Sequence, residues 1–231
     1  MSHNINIEYD NEAALNETTG VISEGSYSMP FLLRKGEKNT KKRLLVILHG
    51  HGANKAFAKF QQDDWDVLCP LDTFGTEGYG CWWLGESGNL FVYRLLHSLI
   101  EKMKLSLDTK ELYFWGSSMG GFGAILHGIL LKADAIYAHM PQVKLVGTDY
   151  TDGANAKYYE PMRNANSADY LDLVSFIGRQ PNSSGPVLFL SQNVFDYPNY
   201  IQQHFFPLID ILDRKKFAYK VDMNLKKGHV L

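Results

Sequence analysis

The sequence is short of cysteine, and that shortage argues against proteins held together by disulfides or cysteine-bound metals. Only two cysteines, Cys69 and Cys81, occur in 231 residues, and their spacing does not match a metal-binding pattern. One pair in a chain without an export signal indicates two free thiols in a reducing compartment. We therefore predict no metal site and no disulfide framework.

An excess of charge of one sign is also lacking. The chain carries 23 basic and 25 acidic residues, which leaves a formal net charge of -2. Nucleic-acid binding relies on a positive surface that neutralises phosphates. This balance provides no such global field. We therefore expect no nucleic-acid partner.

Long apolar runs are missing as well. Residues 44–48 form one of the longest, whereas a membrane span needs about 20 predominantly apolar residues. The first five residues show no basic patch followed by an apolar segment, which is what a secretory signal requires. We predict no transmembrane segment, and a location in the cytoplasm or peripheral to the inner membrane.

The chain does have enough length and apolar content for a substantial core. A sequence of 231 residues with 45% hydrophobic residues fits one large domain or two small ones. A single domain of that size buries about 70–75% of the surface that its unfolded chain exposes. The core therefore needs no covalent or metal reinforcement.

Short apolar segments alternate along the chain with segments of helical periodicity. A continuous apolar run bounded by charge and glycine is typical of a buried parallel strand, and apolar residues three and four apart are typical of a helix on a core. The alternation predicts an α/β fold, a mainly parallel sheet with helices on both faces. The predicted strands are 27–33, 44–48, 66–71, 111–115, 133–139, 187–191 and 217–223, and the predicted helices are 54–62, 89–104, 120–131, 168–177 and 199–212.

Three stretches do not fit this alternation. Residues 1–40 are polar and, outside the predicted strand, irregular. Residues 73–88 form a loop rich in glycine and aromatic residues, and residues 141–185 form a polar excursion. In an open parallel sheet ligands bind beyond the carboxyl ends of the strands. The residues that directly follow each strand are therefore the candidates for function.

A G-x-S-x-G motif centred on Ser118 lies between a predicted strand and a predicted helix. In that context the glycines permit a sharp turn that exposes the serine. The turn also directs the N–H of Met119, at the helix N-terminus, towards an oxyanion. The alternative is a glycine-rich turn without chemistry. Ser117 is a second serine here, but the glycine spacing selects Ser118.

A serine nucleophile needs a base, and in this architecture the partners follow in the order serine, acid, histidine. Asp196 follows the strand 187–191, and His229 follows the last strand. Taken alone, Asp196 could cap the next helix and His229 could be an exposed tail residue. Their agreement in order favours a triad over the other candidates, which are His97, His127, His139, His204, Asp210, Asp213 and Asp222.

Two further groups of residues follow strands at the same edge. The glycine-rich turn after the strand 44–48 could supply a second oxyanion donor, for which we predict the N–H of His51, with Gly52 as the alternative and His49 as a structural residue. Aromatic side chains in the loop 73–88 could stack on a sugar or an adenine, or belong to the core. The predicted substrate-binding residues are Tyr79, Trp82, Trp83 and Gln142.

Together these residues resemble the α/β-hydrolase superfamily. The matching positions are His49-Gly50, the motif 116–120, Asp196 and Gly228-His229, which span most of the chain. The resemblance implies serine-dependent acyl chemistry on a nearly minimal core without a large lid. Because the proposed site draws on residues from His51 to His229, we predict a single catalytic domain over 1–231.

A narrower resemblance is to bacterial capsular-polysaccharide O-acetyltransferases of this fold. The segment 113–124 and the turn Met140-Pro141-Gln142 carry it. It implies acetyl-CoA as acyl donor, no permanently bound cofactor, and the hydroxyl of a polysaccharide or other glycan as acceptor. A carboxylesterase or a carbohydrate deacetylase would use the same triad. A non-catalytic binding module is the alternative from a different class.

One feature departs from the superfamily pattern. A helix usually follows the catalytic histidine, whereas this sequence stops at Leu231. The last strand would then lack its usual cover. We expect either the first forty residues or a neighbouring subunit to provide that cover, and on this ground we predict a homo-oligomer.

Overall fold

The computed structural model describes residues 5–14, 17–52, 60, 62–182 and 185–229. Within them nine strands form one sheet in the order β1-β2-β3-β5-β4-β6-β7-β8-β9. The strands are β1 Ile5–Ala14, β2 Glu17–Glu24, β3 Tyr27–Arg34, β4 Arg43–Leu48, β5 Asp66–Pro70, β6 Glu111–Ser117, β7 Ala135–His139, β8 Val187–Phe195 and β9 Tyr219–Lys227.

Six α-helices accompany the sheet in these residues, together with four helical segments of other types. The α-helices are α1 Phe91–Ser106, α2 Met119–Leu130, α3 Asp149–Asp152, α4 Ala156–Tyr159, α5 Leu173–Gly178 and α6 Phe206–Lys215. The other segments are three 3-10 helices, Thr76–Gly78, Glu160–Met162 and Ala165–Tyr170, and a π-helix, Ile201–Phe205.

The sheet is parallel from β5 to β9, in the spatial order β5, β4, β6, β7, β8, β9. The prediction of a mainly parallel sheet is therefore confirmed. In β4, β6, β7 and β8 one face is buried in the core, and the other carries mainly apolar residues that are partly exposed, so each strand contains a continuous apolar run. Their carboxyl ends meet at one edge, where the candidate residues lie.

Strand β3 confirms the predicted strand 27–33. The expectation that the rest of the N-terminus is irregular is wrong, because β1 and β2 pair with β3 as an antiparallel extension of the sheet. In β2, buried residues such as Ile22 alternate with partly exposed ones. Glu24 ends this strand in a buried position, where its carboxylate pairs with Arg94 of α1 at 2.8 Å. A polar strand of this kind is stabilised by contacts that are distant in sequence.

The main core lies between one face of the sheet and the helices α1, α2, α5 and α6. Helix α1 confirms the predicted helix 89–104, and its apolar stripe is fully buried. Helix α2 is buried almost all round, as expected of a helix hydrophobic on every face. This burial gives the Ser118 turn at the start of α2 a rigid support.

Two predicted helices differ from the structure in extent. The predicted helix 168–177 is divided, because the Asp172 side chain accepts hydrogen bonds from the N–H groups of Val174 and Ser175 and so caps a new helix, α5. The predicted helix 199–212 begins with the π-helical segment before α6. The predicted helix 54–62 lies almost entirely outside the described residues.

The N-terminal strands do not cover the last strand. Strand β1 lies at one end of the sheet and β9 at the other, and β9 is largely exposed. The expectation that residues 1–40 cover β9 is therefore wrong. Cover by a neighbouring subunit stays a prediction. None of the helices in the described ranges has the length and apolarity that a membrane span requires.

Candidate active site

Ser118 occupies a strained backbone conformation between β6 and α2. Its φ of 56° and ψ of -117° lie in a region that residues with side chains rarely adopt. Neighbouring elements hold this geometry. The Ser118 N–H donates to the carbonyl of His139 at 2.9 Å, and its own carbonyl accepts from Phe122 N–H at 3.0 Å and Gln142 N–H at 3.3 Å. The hydroxyl therefore stands on a turn that is supported from three elements.

The two glycines of the motif are required by close backbone approach. A Cβ on Gly116 would lie 2.0 Å from the carbonyl oxygen of Gly120, and a Cβ on Gly120 would lie 2.0 Å from the carbonyl oxygen of Leu48. Any side chain there would push α2 away from β4 and β6. The motif spacing thus reflects the packing that brings the N-terminus of α2 onto the strand ends.

Asp196 and His229 are brought together at the same edge. Nδ1 of His229 lies 3.0 Å from both carboxylate oxygens of Asp196, whose side chain is fully buried. The carboxylate also accepts from Gln192 Nε2 at 2.8 Å and from Tyr197 N–H at 2.7 Å. Burial raises the pKa of Asp196, but the hydrogen bonds from His229, Tyr197 and Gln192 outweigh it and leave the pKa below its ordinary value.

The other ring nitrogen of His229 has no hydrogen-bond partner in the part of the chain that the structure describes. Nε2 is buried and forms no hydrogen bond with the described residues, the hydroxyl of Ser118 included. The structure therefore brings the predicted acid and base into contact, and leaves the serine outside hydrogen-bond distance of the base. Because Nδ1 faces the carboxylate, Nε2 is the nitrogen available for exchanging a proton.

Two residues of β8 that sequence reasoning missed hold this pair. Gln192 donates to Asp196, and Asn193 Nδ2 donates to the carbonyl of Gly228 at 3.0 Å. Both side chains are buried. Gly228, with φ of 79°, donates its N–H to Phe195 O at 2.6 Å. The sequence signal that could have identified them is the presence of polar residues directly after the apolar part of the strand.

The loop after β4 is fixed by His49, as predicted for a structural residue. His49 Nε2 accepts from the N–H of Asp72 at 2.9 Å, so Nδ1 carries the proton and donates to Gly50 O at 2.8 Å. Burial lowers the pKa of His49, which keeps the ring neutral. An ideal Cβ on Gly50 would lie 3.9 Å from Cβ of Ser118. The loop therefore runs beside the serine.

The two candidates for a second oxyanion donor differ in their hydrogen bonding. The N–H of Gly52 donates to the carbonyl of Tyr79 at 2.9 Å, so it is already engaged. This geometry favours the N–H of His51. On the other side, the N–H of Met119 belongs to the first turn of α2, where amides have no partner within the helix.

Asp72 holds the aromatic loop in place, a role that the sequence did not predict. It is fully buried, and its carboxylate accepts from the N–H groups of Cys81 at 2.8 Å and Trp83 at 3.1 Å. The signal was its position directly after a strand at the functional edge. Burial, together with the charge of Asp72, raises the pKa of Cys81 well above its usual range, so this thiol stays protonated and is no nucleophile.

A cavity of about 550 Å³ lies at this edge. That volume is within the usual range for small-molecule sites. The predicted residues Tyr79, Trp82 and Gln142 are in its wall, as is His51. Its lining consists of His51, Gly52, Tyr79, Trp82, Gln142, Tyr150, Asn155, Tyr158, Tyr159 and Tyr197.

The prediction that Trp83 binds substrate is wrong. Its side chain is fully buried and is absent from the cavity wall. The indole packs against the ring of His49, with 4.9 Å between centroids, and fills the space beside Gly123, where a Cβ would lie 2.4 Å from the indole Cδ1. Trp83 is therefore a core residue.

The tyrosine wall of the cavity was not foreseen. Tyr150, Tyr158 and Tyr159 come from the excursion 141–185, in the short helices α3 and α4, and Tyr197 follows Asp196. The local density of tyrosine in a polar segment was the only signal. Gln142 links this wall to the serine turn, since its side-chain carbonyl accepts from the indole N–H of Trp82 and its backbone N–H bonds to Ser118.

Within the described ranges, no cluster of three or more histidine, cysteine, aspartate or glutamate side chains has the arrangement of a metal site. The polar groups at this edge are instead arranged as a carboxylate, an imidazole, a hydroxyl and backbone N–H groups. Such a set can perform nucleophilic and general-base chemistry.

No protein-family model and no curated protein sequence matches the chain. Solved structures resemble it closely in architecture. The capsule O-acetyltransferase of Neisseria meningitidis serogroup A is 21% identical, with a TM-score of 0.69, over 96% of this chain and 91% of that one. The S-formylglutathione hydrolase of Agrobacterium tumefaciens is 16% identical, with a TM-score of 0.68, over 97% and 92%.

A third similar structure is the acetyl xylan esterase of Paenibacillus sp. R4, which is 11% identical with a TM-score of 0.60 and covers 100% of this chain and 85% of that one. These three proteins resemble the chain over 96–100% of its length, with TM-scores of 0.60–0.69. Taken with the sheet described above, they show that this chain has the α/β-hydrolase fold.

Proposed function

We propose that the chain catalyses serine-dependent acyl transfer through an ester of Ser118, with His229 as base and Asp196 as its orienting acid. The observation that carries this proposal is the Asp196–His229 pair, at the sheet edge that also presents Ser118 on its strained turn. Nε2 of this histidine has no hydrogen-bond partner among the residues that the structure describes. A structural ion pair would not need a second ring nitrogen left buried and unsatisfied.

In the first step the hydroxyl oxygen of Ser118 attacks the carbonyl carbon of the acyl donor. His229 Nε2 takes the hydroxyl proton, and the N–H groups of Met119 and His51 stabilise the oxyanion, each contributing roughly 2.7–4 kcal/mol. Collapse of the intermediate breaks the bond to the leaving group, which receives the proton from His229. Catalytic hydrogen bonds are often long before substrate binds, which is consistent with the open serine–histidine distance.

In the second step the acceptor hydroxyl gives its proton to His229 Nε2 and attacks the acyl carbon. The bond between the acyl carbon and Ser118 breaks, and the serine oxygen takes the proton back. Throughout, Asp196 holds Nδ1 protonated and stabilises the imidazolium. Its lowered pKa keeps it ionised for that role.

We further propose acetyl-CoA as the donor and a glycan hydroxyl as the acceptor, which makes the chain an O-acetyltransferase of a polysaccharide. Two observations support this class. The architecture is similar to a capsule O-acetyltransferase that has also been solved, as a mutant, in complex with CoA, and the cavity is lined by aromatic side chains suited to sugar rings. A carbohydrate esterase is the second candidate, supported by the similarity to an acetyl xylan esterase.

The test is incubation with acetyl-CoA, with and without capsular glycans, while release of the CoA thiol is followed. We expect acceptor-dependent release that Ser118→Ala lowers to background, a loss of roughly a million-fold in turnover for such a nucleophile. Equal release without acceptor would identify an esterase. If no CoA is released and a fluorophosphonate does not label Ser118, the proposed activity is wrong and the chain is better explained as a non-catalytic binding module.

A further inference from the structure

The side chain of His51 has a role that the oxyanion contact of its backbone does not explain. Its imidazole lies in the cavity wall inside a group of aromatic rings. It stacks on Trp82 with 5.2 Å between centroids and meets Tyr158 and Tyr79 edge-on at 4.6 and 5.4 Å. The rings of Tyr79 and Tyr158 are themselves nearly parallel, at 23°. His51 therefore closes one side of an aromatic box.

Among the residues that the structure describes, one buried polar atom of the box lacks a hydrogen-bond partner. Nε2 of His51 is buried and has no hydrogen-bond partner among the described residues, although buried polar atoms are normally paired. Burial lowers the pKa of His51, so the ring is neutral at pH 7 and offers one donor and one acceptor. Because this atom is covered in the structure, a ligand in the cavity reaches it only when the surrounding rings shift, and its hydroxyl group would then complete the hydrogen bond.

Two opposite charges beside the box form an ion pair. Glu77 and Lys157 form an ion pair at 2.8 Å, and the Tyr158 hydroxyl lies 3.4 Å from the same carboxylate. The box therefore offers aromatic faces, phenol groups and one neutral imidazole. This combination suits an uncharged ring that has apolar C–H faces and hydroxyl groups at its rim, which describes a pyranose.

We propose that His51 Nε2, with Tyr79 and Tyr158, forms the subsite for the sugar ring that carries or adjoins the acceptor hydroxyl. This rests on the proposed acyl transfer. The position favours the acceptor because Gly50, one residue earlier, lies against Ser118. The attacking oxygen must come within about 3–3.5 Å of the acyl carbon, whereas the long pantetheine arm of CoA holds its adenine far from the thioester.

The test compares two variants at one position with a matched control. His51→Phe keeps an aromatic ring and removes both nitrogens, and His51→Gln returns a polar group. The control, Tyr219→Phe, removes the phenol oxygen that donates to Asp213. Tyr219 lies at the amino end of β9, whereas the site lies at the carboxyl ends of the strands. Binding of methyl N-acetyl-β-glucosaminide and methyl β-glucopyranoside is measured by saturation-transfer NMR, with circular dichroism to confirm folding.

We expect His51→Phe to weaken binding of at least one glycoside by about 3- to 10-fold, the effect of one lost hydrogen bond. We expect His51→Gln to recover part of it and Tyr219→Phe to bind as the wild type does. The proposal is overturned if the wild type binds neither glycoside, or if His51→Phe binds both unchanged. It is also overturned if His51→Phe weakens only adenosine 3′,5′-bisphosphate, which would assign the box to the donor.

This measurement is separate from acyl transfer, because binding needs no reaction. If Ser118 proves unreactive towards the fluorophosphonate while the glycosides bind in a His51-dependent way, the proposed function fails and the subsite stands. If Ser118 reacts and the glycosides do not bind, the reverse holds.

Discussion

At the scale of single residues, two side chains at the end of β8 position the acid and the histidine of the site. Gln192 and Asn193 are neighbours on one strand, yet the first holds the carboxylate of Asp196 and the second holds the loop that carries His229. Side chains that alternate along a strand point to opposite faces, and here the two faces serve the two partners. The acid–histidine pair is thus positioned by a rigid element.

We predict that Gln192→Ala lowers the free energy of unfolding by about 1.5–3 kcal/mol, the usual effect of removing a buried hydrogen bond to a charged group. It should also lower turnover more than it raises KM, because the orientation of Asp196 is lost. Denaturant unfolding and steady-state kinetics measure both. Gln180→Ala is the control, since its side chain bonds only the backbone carbonyl of Phe176 among the described residues, at 3.3 Å. Equal effects of the two variants would contradict the prediction.

The lowered pKa of Asp196 predicts how stability depends on pH. Because the folded pKa lies below the unfolded value, the ionised carboxylate stabilises the fold above about pH 4, and this contribution is lost as pH falls through the folded pKa. We expect the difference in unfolding free energy between wild type and Asp196→Asn to shrink on acidification from pH 7 to pH 3. A difference that stays constant or grows would show that Asp196 is not stabilised in its ionised form.

At the scale of elements, the contact of α2 with the strand ends decides whether the serine turn forms. Gly120 opens this helix with its backbone against Leu48. We predict that Gly120→Ala destabilises the fold by about 1–3 kcal/mol through overpacking, and that it removes labelling of Ser118. Thermal unfolding and fluorophosphonate labelling test this.

Gly178, the last residue of α5, provides the matched control for that glycine. A Cβ there would meet only Cδ1 of Ile211 at 3.7 Å, an ordinary contact, and alanine favours a helix more than glycine does. Gly178→Ala should therefore leave stability unchanged or slightly increased. If both variants behave alike, the packing explanation of the motif is wrong.

Still at the scale of elements, two connecting segments contact each other beside the cavity. Thr76, in the β5–α1 connection, donates from its hydroxyl to Lys157 O at 2.9 Å, and Glu77 pairs with the ammonium group of that lysine at 2.8 Å. Lys157 precedes Tyr158 of the cavity wall. An exposed ion pair such as Glu77–Lys157 contributes little to stability. We expect its main effect to be on the position of Tyr158 in the cavity wall.

We predict that Lys157→Met leaves the unfolding midpoint unchanged and raises KM for a cavity-filling substrate severalfold, because Tyr158 is then less well held. The same variant should treat a small activated acetate ester as the wild type does. Kinetics with both substrates provide the test, and an equal change for the two would place the effect outside the cavity.

At the scale of the whole molecule, one sheet collects a site from residues far apart in sequence. The ends of β4, β6, β7 and β8, with the residues after β9, all contribute to one edge. The last strand, β9, lies at the end of this sheet and is exposed. Its residues Met223 and Leu225 are 45% and 81% exposed. Exposed apolar residues on an edge strand favour association.

The predicted homo-oligomer is tested at this scale by light scattering of the purified chain. We expect a particle larger than one chain, and a shift towards the monomer in Leu225→Lys, because a charge there opposes burial of the β9 edge. Ser118 labelling serves as the check that the variant is folded. A wild-type monomer would contradict the prediction.

The sequence by itself determined the parallel sheet and the places of Ser118, Asp196 and His229 in it. The central strands carry mainly apolar residues on both faces, and the carboxyl ends of parallel strands lie at one edge of the sheet, so residues directly after them converge. Tertiary structure decided what local pattern does not encode. The polar N-terminus pairs into the sheet, with Glu24 buried against Arg94. Trp83 packs in the core beside Gly123. The N–H of Gly52 is engaged by Tyr79, which favours His51 as the proposed donor. These outcomes depend on groups distant in sequence, whose contacts exist only once the chain has packed.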